Sequence, residues 1–282
     1  MLSIMIPSSL TIESPDQRIK TYKVGQIARA ASIFGVDKII IYKDGEFDDS
    51  RFISLVLRYI ETPQYLRKRL FPLKEELRYV GVVPPLRTPH HPLNSKSYSL
   101  LIGEFREGAV VELKKGMALI DIGVEIFAKL RSHKKSQRGD RLTLKIISTD
   151  PLEVEYVEEE KPPSYWGYET EIAGTLGETL ARLTSEKVVF TSRGGEVVSG
   201  EKMEELVGCD IVFIFGSPHR GVEAILSDEG LSTKGFTGDV LNTIPSQGTE
   251  TIRTEEAVFA TLAVYNVKKI KIEGALGLRP MP

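Results

Sequence analysis

The stretch CDIVFIFGSPHRGVEAILSDEG, residues 209–230, reads as a strand, a turn and a helix in immediate succession. Ile211 to Phe215 form an unbroken apolar run, the pattern of a parallel strand covered on both faces. Gly216 and Ser217 turn the chain, and a helix follows Gly221. The same alternation lies at the start of the chain. LSIMIPSS (2–9) predicts a strand, DQRIKTYKVGQIARAASIFG (16–35) a helix and DKIIIYKDG (37–45) a second strand. Ile19, Val24, Ile27, Ala28, Ala31 and Ile33 fall near one helical face, Ser14-Pro15-Asp16 gives the start and Gly35 the stop. Two apolar strands joined by such a helix make a βαβ unit. FISLVLRYIETPQYLRKRLFP (52–72) is a helical region interrupted at Pro63.

From about residue 80 the character changes. YVGVVPPLRTPHHPL (79–93) is proline-rich and marks a boundary. Beyond it short β-type runs, many glycines and frequent turn signals predict a small barrel of about five strands, an OB-like one first among the options. KPPSYWGYETEIAG (161–174) is a second boundary. After it the alternation resumes: TLGETLARL helix, VVFTSR strand, EKMEELV helix, CDIVFIFGS strand, GVEAILSDEG helix. GFTGDVLNTI ends in a strand, and TEEAVFATLAVYN is a long helix before VKKIKI. The expected organisation is an α/β protein at 1–88 and 166–282, interrupted by a β-barrel domain at 89–165, whose two flanking parts complete one sheet.

Composition narrows the class. The 282 residues are 41% hydrophobic and 27% charged, with a formal net charge of −2, as in a soluble globular protein. No apolar run approaches the roughly 20 residues of a spanning helix, and MLSIMIPSSL is too soon broken by Pro7 to serve as a signal segment. A cytoplasmic protein without a membrane partner is the expectation. The one cysteine, Cys209, excludes an intramolecular disulfide and reads as a structural thiol rather than a nucleophile. His90, His91, His133 and His219 lack metal-ligand spacing, so no metal is expected.

Two loops carry the functional signal. In open α/β sheets ligands lie at the carboxyl ends of strands, which makes GSPHRG (216–221) a candidate by position. Neither GxGxxG nor GxxxxGK[ST] stands at a strand–helix junction, so dinucleotide and P-loop readings lack their residues, and a Rossmann oxidoreductase is disfavoured. The second loop is LNTIPSQGTETIRTEEA (241–257). Thr251 and Thr254 can each cap the following helix, with Glu255 and Glu256 in its first turn. Capping leaves Ile244 to Thr251 unexplained, and a backbone-rich cradle around Gly248 suits a small ligand.

Taken together, PSSL after the first strand, YVGVVPPLRTPHHP at the insertion, VFIFGSPHRG and IPSQGTETIRTEEA resemble the SPOUT superfamily of S-adenosylmethionine-dependent RNA methyltransferases. The resemblance is to the archaeal and eukaryotic group with an inserted OB-like domain, and it spans essentially the whole chain. It implies a Rossmann-like parallel sheet with a C-terminal trefoil knot, S-adenosylmethionine as cofactor, and a homodimer acting on ribosomal or transfer RNA. Carried over by position, Gly216 and Ser217 lie on one cofactor loop. Asn242, Ile244, Pro245, Gln247, Gly248 and Thr249 lie on the other, with Thr251, Thr254 and Ala257 lining or bracing the cavity from the helix side. The GlyProGlu of several SPOUT families is Gly216-Ser217-Pro218 here, so no role carries over to Pro218, His219 or Arg220. A non-catalytic RNA-binding or ribosome-assembly factor with the same fold is the alternative from another class.

Methyl transfer from a sulfonium asks mainly for alignment and for removal of a proton from the nucleophile. Arginines can orient phosphate or ribose through a planar fork. Arg18, Arg87, Arg220 and Arg253 are the cations to test first, Arg18 and Arg253 as the expected catalytic ones and Arg87 among the RNA contacts. For RNA the strongest signal is KLRSHKKSQRGDRLTLK (129–145), with seven Lys or Arg against one Asp. A basic hairpin there, including Arg131, Lys134, Lys135 and Arg138, suits a phosphate backbone. A solvated charged turn would look the same.

Overall fold

The computed structural model describes residues 1–114, 116–131, 136–157, 162–183 and 186–275. In chain order the elements are β1 (Leu2–Pro7), α1 (Gln17–Phe34), β2 (Lys38–Lys43), α2 (Ser50–Glu61), α3 (Gln64–Leu70), β3 (Phe105–Lys114), β4 (Met117–Asp121), β5 (Ala128–Leu130), β6 (Arg141–Thr149) and β7 (Leu152–Tyr156). They continue with β8 (Glu169–Thr175), α4 (Leu176–Leu180), β9 (Lys187–Val197), α5 (Gly200–Glu205), β10 (Ile211–Ile214), α6 (Val222–Asp228), β11 (Asp239–Asn242) and α7 (Thr254–Ala275). The chain divides into two compact units, one of residues 1–58, 76–84 and 167–282, the other of residues 59–75 and 85–166.

The first unit is built on a six-stranded sheet in the order β11-β9-β10-β1-β2-β8, with every pair parallel. The expected sharing of one sheet between the two ends of the sequence holds: β1 pairs with β2 on one side and with β10 on the other, Met5 facing both Ile40 and Ile214. Side chains alternate along each strand. Met5, Ile40, Tyr42, Val188, Phe190, Val212 and Ile214 therefore share one face, where Leu176 and Leu180 of α4 and Val222, Ile225 and Leu226 of α6 cover them. Ile4, Ile39 and Phe213 share the opposite face by register, and Tyr265 of α7 meets Phe213 edge to face. α1 begins where expected, with the Asp16 carboxylate accepting from the Arg18 and Ile19 N–H groups. It ends at Gly35 in the left-handed region (φ 67°).

Two elements differ from expectation. VKKIKI continues α7 instead of starting a new element, the helix running from Thr254 to Ala275 with Val267 and Ile270 exposed. ETEIAGT, within the proline-marked boundary, is an edge strand: β8 lies beside β2 alone, where pairing on one side suffices.

The second unit holds a closed barrel in the order β3-β4-β5-β7-β6. All its pairs are antiparallel except β5 with β7. Val110, Ile120, Leu130, Leu144, Ile146 and Val154 fill the interior. α3 lies against β3, the Tyr65 hydroxyl donating to the Glu107 carbonyl at 2.8 Å. A buried polar cluster ties the unit together. Arg141 forms a fork onto Glu61 and reaches Glu107, while Thr143 and Trp166 donate to Glu107 at 2.6 Å each. His90 Nε2 sits 3.1 Å from the Glu61 carboxylate, and His91 Nε2 2.6 Å from the Glu61 carbonyl. Burial alone would raise the Glu61 carboxyl, but hydrogen bonds from His90 and Arg141 and their charge take it down to about 2. The PHHP sequence at the boundary thus serves this cluster.

Candidate functional site

All six strands of the first unit point the same way, so the loops after β1, β2, β9, β10 and β11 gather at one edge of the sheet. A cavity of about 400 Å³ opens there, within the size range of small-molecule sites. Two loops and the start of α7 form three of its walls. Gly216 to Gly221 follow β10, Asn242 to Ile252 follow β11, and Thr254 and Ala257 stand on α7.

The fourth wall is a feature of β9. Val240 pairs with Phe190, yet the next residue, Leu241, pairs with Glu196. Residues 191–195 therefore bulge from the ladder, and Thr191, Ser192, Arg193 and Gly194 face the cavity. Gly195 allows the return, since a Cβ there would stand 2.7 Å from the Val240 carbonyl oxygen. The Asn242 amide donates to the Arg193 carbonyl at 2.9 Å, and the Arg193 guanidinium donates to the Glu250 carbonyl at 2.9 Å, closing the bulge onto the β11 loop.

The β10 loop is held from below and from the side. Tyr42, wholly buried, donates to the Phe215 carbonyl at 2.6 Å; burial pushes its phenol up, so the proton stays. Ser217 N–H donates to the Arg220 carbonyl at 2.8 Å, a tight turn in which a Cβ on Gly216 would lie 2.6 Å from that same oxygen. The Thr254 hydroxyl donates to the Gly216 carbonyl at 2.9 Å. This corrects the capping role expected of Thr254: as the first residue of α7 it faces the β10 loop. The helix is capped instead by the Glu256 carboxylate accepting from the Arg253 N–H at 2.9 Å. Thr251 does not cap either; its carbonyl accepts from the Thr249 hydroxyl at 2.9 Å. Glu255 turns inward to Lys23 at 3.7 Å, and burial raises its carboxyl.

Beside the β10 loop lies a charged network from the loops after β1 and β2. Ser8 and Ser9 of the PSSL motif donate to Asp44, and the Arg220 guanidinium donates to the Asp44 carbonyl at 2.5 Å. Arg220 also pairs with Asp228 and, at 3.3 Å, with Glu46. His219 Nδ1 lies 2.7 Å from Glu46, and Nε2 lies 4.0 Å from Glu13.

Of the expected cofactor residues, Gly216, Ser217, Asn242, Ile244, Gln247, Thr251, Thr254 and Ala257 line this one cavity. Pro245, Gly248 and Thr249 belong to the same loop but not to the lining, and no atom comes within 4 Å of a Cβ built on Gly248. Arg253 sits exposed between two lining residues, while Arg18 is exposed at the start of α1, over the Tyr79 ring at 5.5 Å. Arg87 and Arg138 are exposed in the barrel unit, Arg87 with φ 55°, and Arg131 pairs with Glu153 at 2.6 Å. Lys134 and Lys135 lie outside the described residues. The bulge at 191–195, His219 and Glu46 were missed; the Gly-Gly following VVFTSR was the available signal for the first. No cluster able to hold a metal occurs among the described residues, and no helix among them is long and apolar enough to cross a membrane.

Residues 1–265 match a family described as "Putative RNA methyltransferase". The chain belongs to this RNA methyltransferase family. An uncharacterized protein of Halobacterium salinarum is 34% identical, the match covering 92% of this chain and 96% of that protein. The 28S rRNA (uridine-N(3))-methyltransferase of Mus musculus is 30% identical, over 93% of this chain and 75% of that enzyme. The human protein of the same name is 28% identical over 93% and 77%. The SPOUT resemblance and the family agree: the chain is an RNA methyltransferase, an enzyme that needs a methyl donor and an RNA acceptor, and the non-catalytic alternative falls away.

Proposed function

We propose that this methyltransferase transfers the methyl group of S-adenosylmethionine to N3 of a uridine in large-subunit ribosomal RNA, in the cytoplasm. The observation that carries the cofactor is the cavity at the strand ends. Phe215, Ile244, Ile252 and Ala257 give it apolar walls for a purine, and the turns at Gly216 and Asn242 present backbone groups for polar ends. The absence of a side chain at Gly216 keeps the cradle open where a Cβ would already collide. When bound, S-adenosylmethionine supplies an electrophilic methyl on a sulfonium. Gly216, Ser217, Asn242, Ile244, Gln247, Thr251, Thr254 and Ala257 hold it, with Pro245, Gly248 and Thr249 shaping the loop behind them. Arg253 at the rim and Arg18 orient the RNA. The acceptor base follows from the relatives named above.

The same reading takes the stretch carrying β10, β11 and α7 as a trefoil knot. In support, the chain leaves β10, pairs β11 outside β9, and returns to place Thr254 against Gly216. The barrel, within the insert at 89–165, is OB-like: its order, with one parallel pair between the third and fifth strands, favours that topology. The second unit recruits RNA through Arg87, Arg131, Lys134, Lys135 and Arg138. The enzyme acts as a homodimer, for which the exposed stripe Val264, Val267 and Ile270 on α7 offers a surface; sedimentation showing only monomer would remove this part.

Calorimetry with S-adenosylhomocysteine tests the core of the proposal. Binding in the micromolar range is expected, near −8 kcal/mol on the usual scale. A titration without heat, and no effect of the ligand on thermal unfolding, would sink it.

A further inference from the structure

We propose that His219 is the general base of the reaction, and that Glu46 positions it. The inference rests on the uridine N3 reading above. The N3 proton of uracil sits between two carbonyls and must leave as the new bond forms, so a proton acceptor beside the methyl donor is required. His219 lines the cavity and is 48% exposed, hence open to a substrate base. Its Nδ1 stands 2.7 Å from Glu46 Oε1. Hydrogen bonding from His219, with the charge of Arg220 behind it, holds the Glu46 carboxyl below its usual range. An ionised carboxylate only accepts, so Nδ1 carries the hydrogen and Nε2 keeps its lone pair.

In the step, the uracil N3 lone pair forms the bond to the methyl carbon. The carbon–sulfur bond breaks with its electrons staying on sulfur, and the N3 proton moves to Nε2. The imidazolium formed is met by Glu46 on one nitrogen and by Glu13, 4.0 Å from the other. Around them stand Arg220, which pairs with Glu46, Asp44 and Asp228, and Lys23 of α1, 3.4 Å from Glu13. The base, its positioner and the second carboxylate come from three different loops, His219 and Glu46 lying 173 residues apart in the chain.

The experiment combines three readouts on wild type, His219→Ala and Glu46→Gln. Proton–nitrogen correlation spectra of the four imidazoles, followed against pH, report the tautomer of His219. Single-turnover methylation of an unmodified large-subunit rRNA transcript, with the product nucleoside identified, gives the rate from pH 5.5 to 9. Calorimetry with S-adenosylhomocysteine reports the cofactor site separately. Neutral His219 in wild type is expected to carry its hydrogen on Nδ1, and Glu46→Gln to relax that preference. His219→Ala is expected to lose about 10²-fold in rate. Its rate should keep rising with pH where wild type levels off, with ligand affinity unchanged. A wild-type rate and pH profile in His219→Ala, or a hydrogen on Nε2, would overturn the proposal while leaving the cofactor reading intact. Loss of ligand binding or of N3-methyluridine in wild type itself would remove both.

Discussion

Gly216 is the residue on which the loop after β10 turns. A single methyl group there meets the Arg220 carbonyl at 2.6 Å and the Gly221 Cα at 3.0 Å, both backbone atoms that cannot step aside alone. Gly216→Ala is therefore expected to open the Ser217–Arg220 turn and to pull the Gly216 carbonyl from the Thr254 hydroxyl. A broken hydrogen bond of about 1 kcal/mol and a displaced wall together predict at least tenfold weaker S-adenosylhomocysteine binding by calorimetry, with little change in melting temperature. Gly216 was legible in the sequence because a strand-to-helix turn needs a small residue. His219 was not: its significance lies in Glu46, brought beside it by the parallel sheet across 173 residues, and no local spacing encodes such a pairing. Thr254 shows the reverse case, a residue whose helix-start position suggested a cap but whose hydroxyl is used between loops.

Among elements, the junction of α2 with the 85–91 segment carries the largest energetic consequence. Glu61, at the end of α2, is 7% exposed and holds Arg141, His90 and His91 through its carboxylate and carbonyl. Glu61→Ala leaves the buried Arg141 guanidinium without the carboxylate it forks onto, and about 3–5 kcal/mol of stability should be lost in chemical denaturation. Acid should act on the same cluster in two stages. Burial, with His90 alongside, lowers the His91 imidazole from 6.5 to about 4, so the unfolded chain takes up that proton first and stability falls as pH drops from about 6.5 to 4. Glu61, depressed to about 2, adds a further loss as pH falls from about 4.5. In His91→Gln the first stage should vanish; denaturation curves at pH 7 and pH 5 would check it, an unchanged slope counting against this account. Elements with strong periodicity, α1, β1, β2, β10 and the barrel strands, were readable from sequence. The bulge at 191–195 was not, because it is created by the register of β11 against β9, a property of the pair and not of either strand.

Over the whole molecule, the formal net charge of −2 hides the basic stretch 129–145, which is not the hairpin expected, since β5 pairs with β4 and β7 and β6 with β3 and β7; RNA affinity should depend on that stretch more than on the total. Reversing charge at Lys134, Lys135 and Arg138 should weaken RNA binding and reduce its slope against the logarithm of salt concentration by roughly 0.7–0.9 for each phosphate no longer neutralised. Affinity for S-adenosylhomocysteine should not move, and an unaltered salt slope would take this stretch out of RNA recognition. The division into a sheet and a barrel was visible in the two proline-rich boundaries, although residues 59–75 group with the barrel unit where the helical reading alone assigned them to the sheet. The sheet itself has a consequence during synthesis. β1 leaves the ribosome early, yet the neighbour that closes its second edge, β10, is encoded about 200 residues later, Leu2 waiting for Ile211. At 5–20 residues per second that wait is roughly 10–40 s. A nascent chain exposing one apolar strand for so long has every reason to seek a chaperone, while the barrel, made of consecutive strands, can already fold on its own side of the tunnel exit.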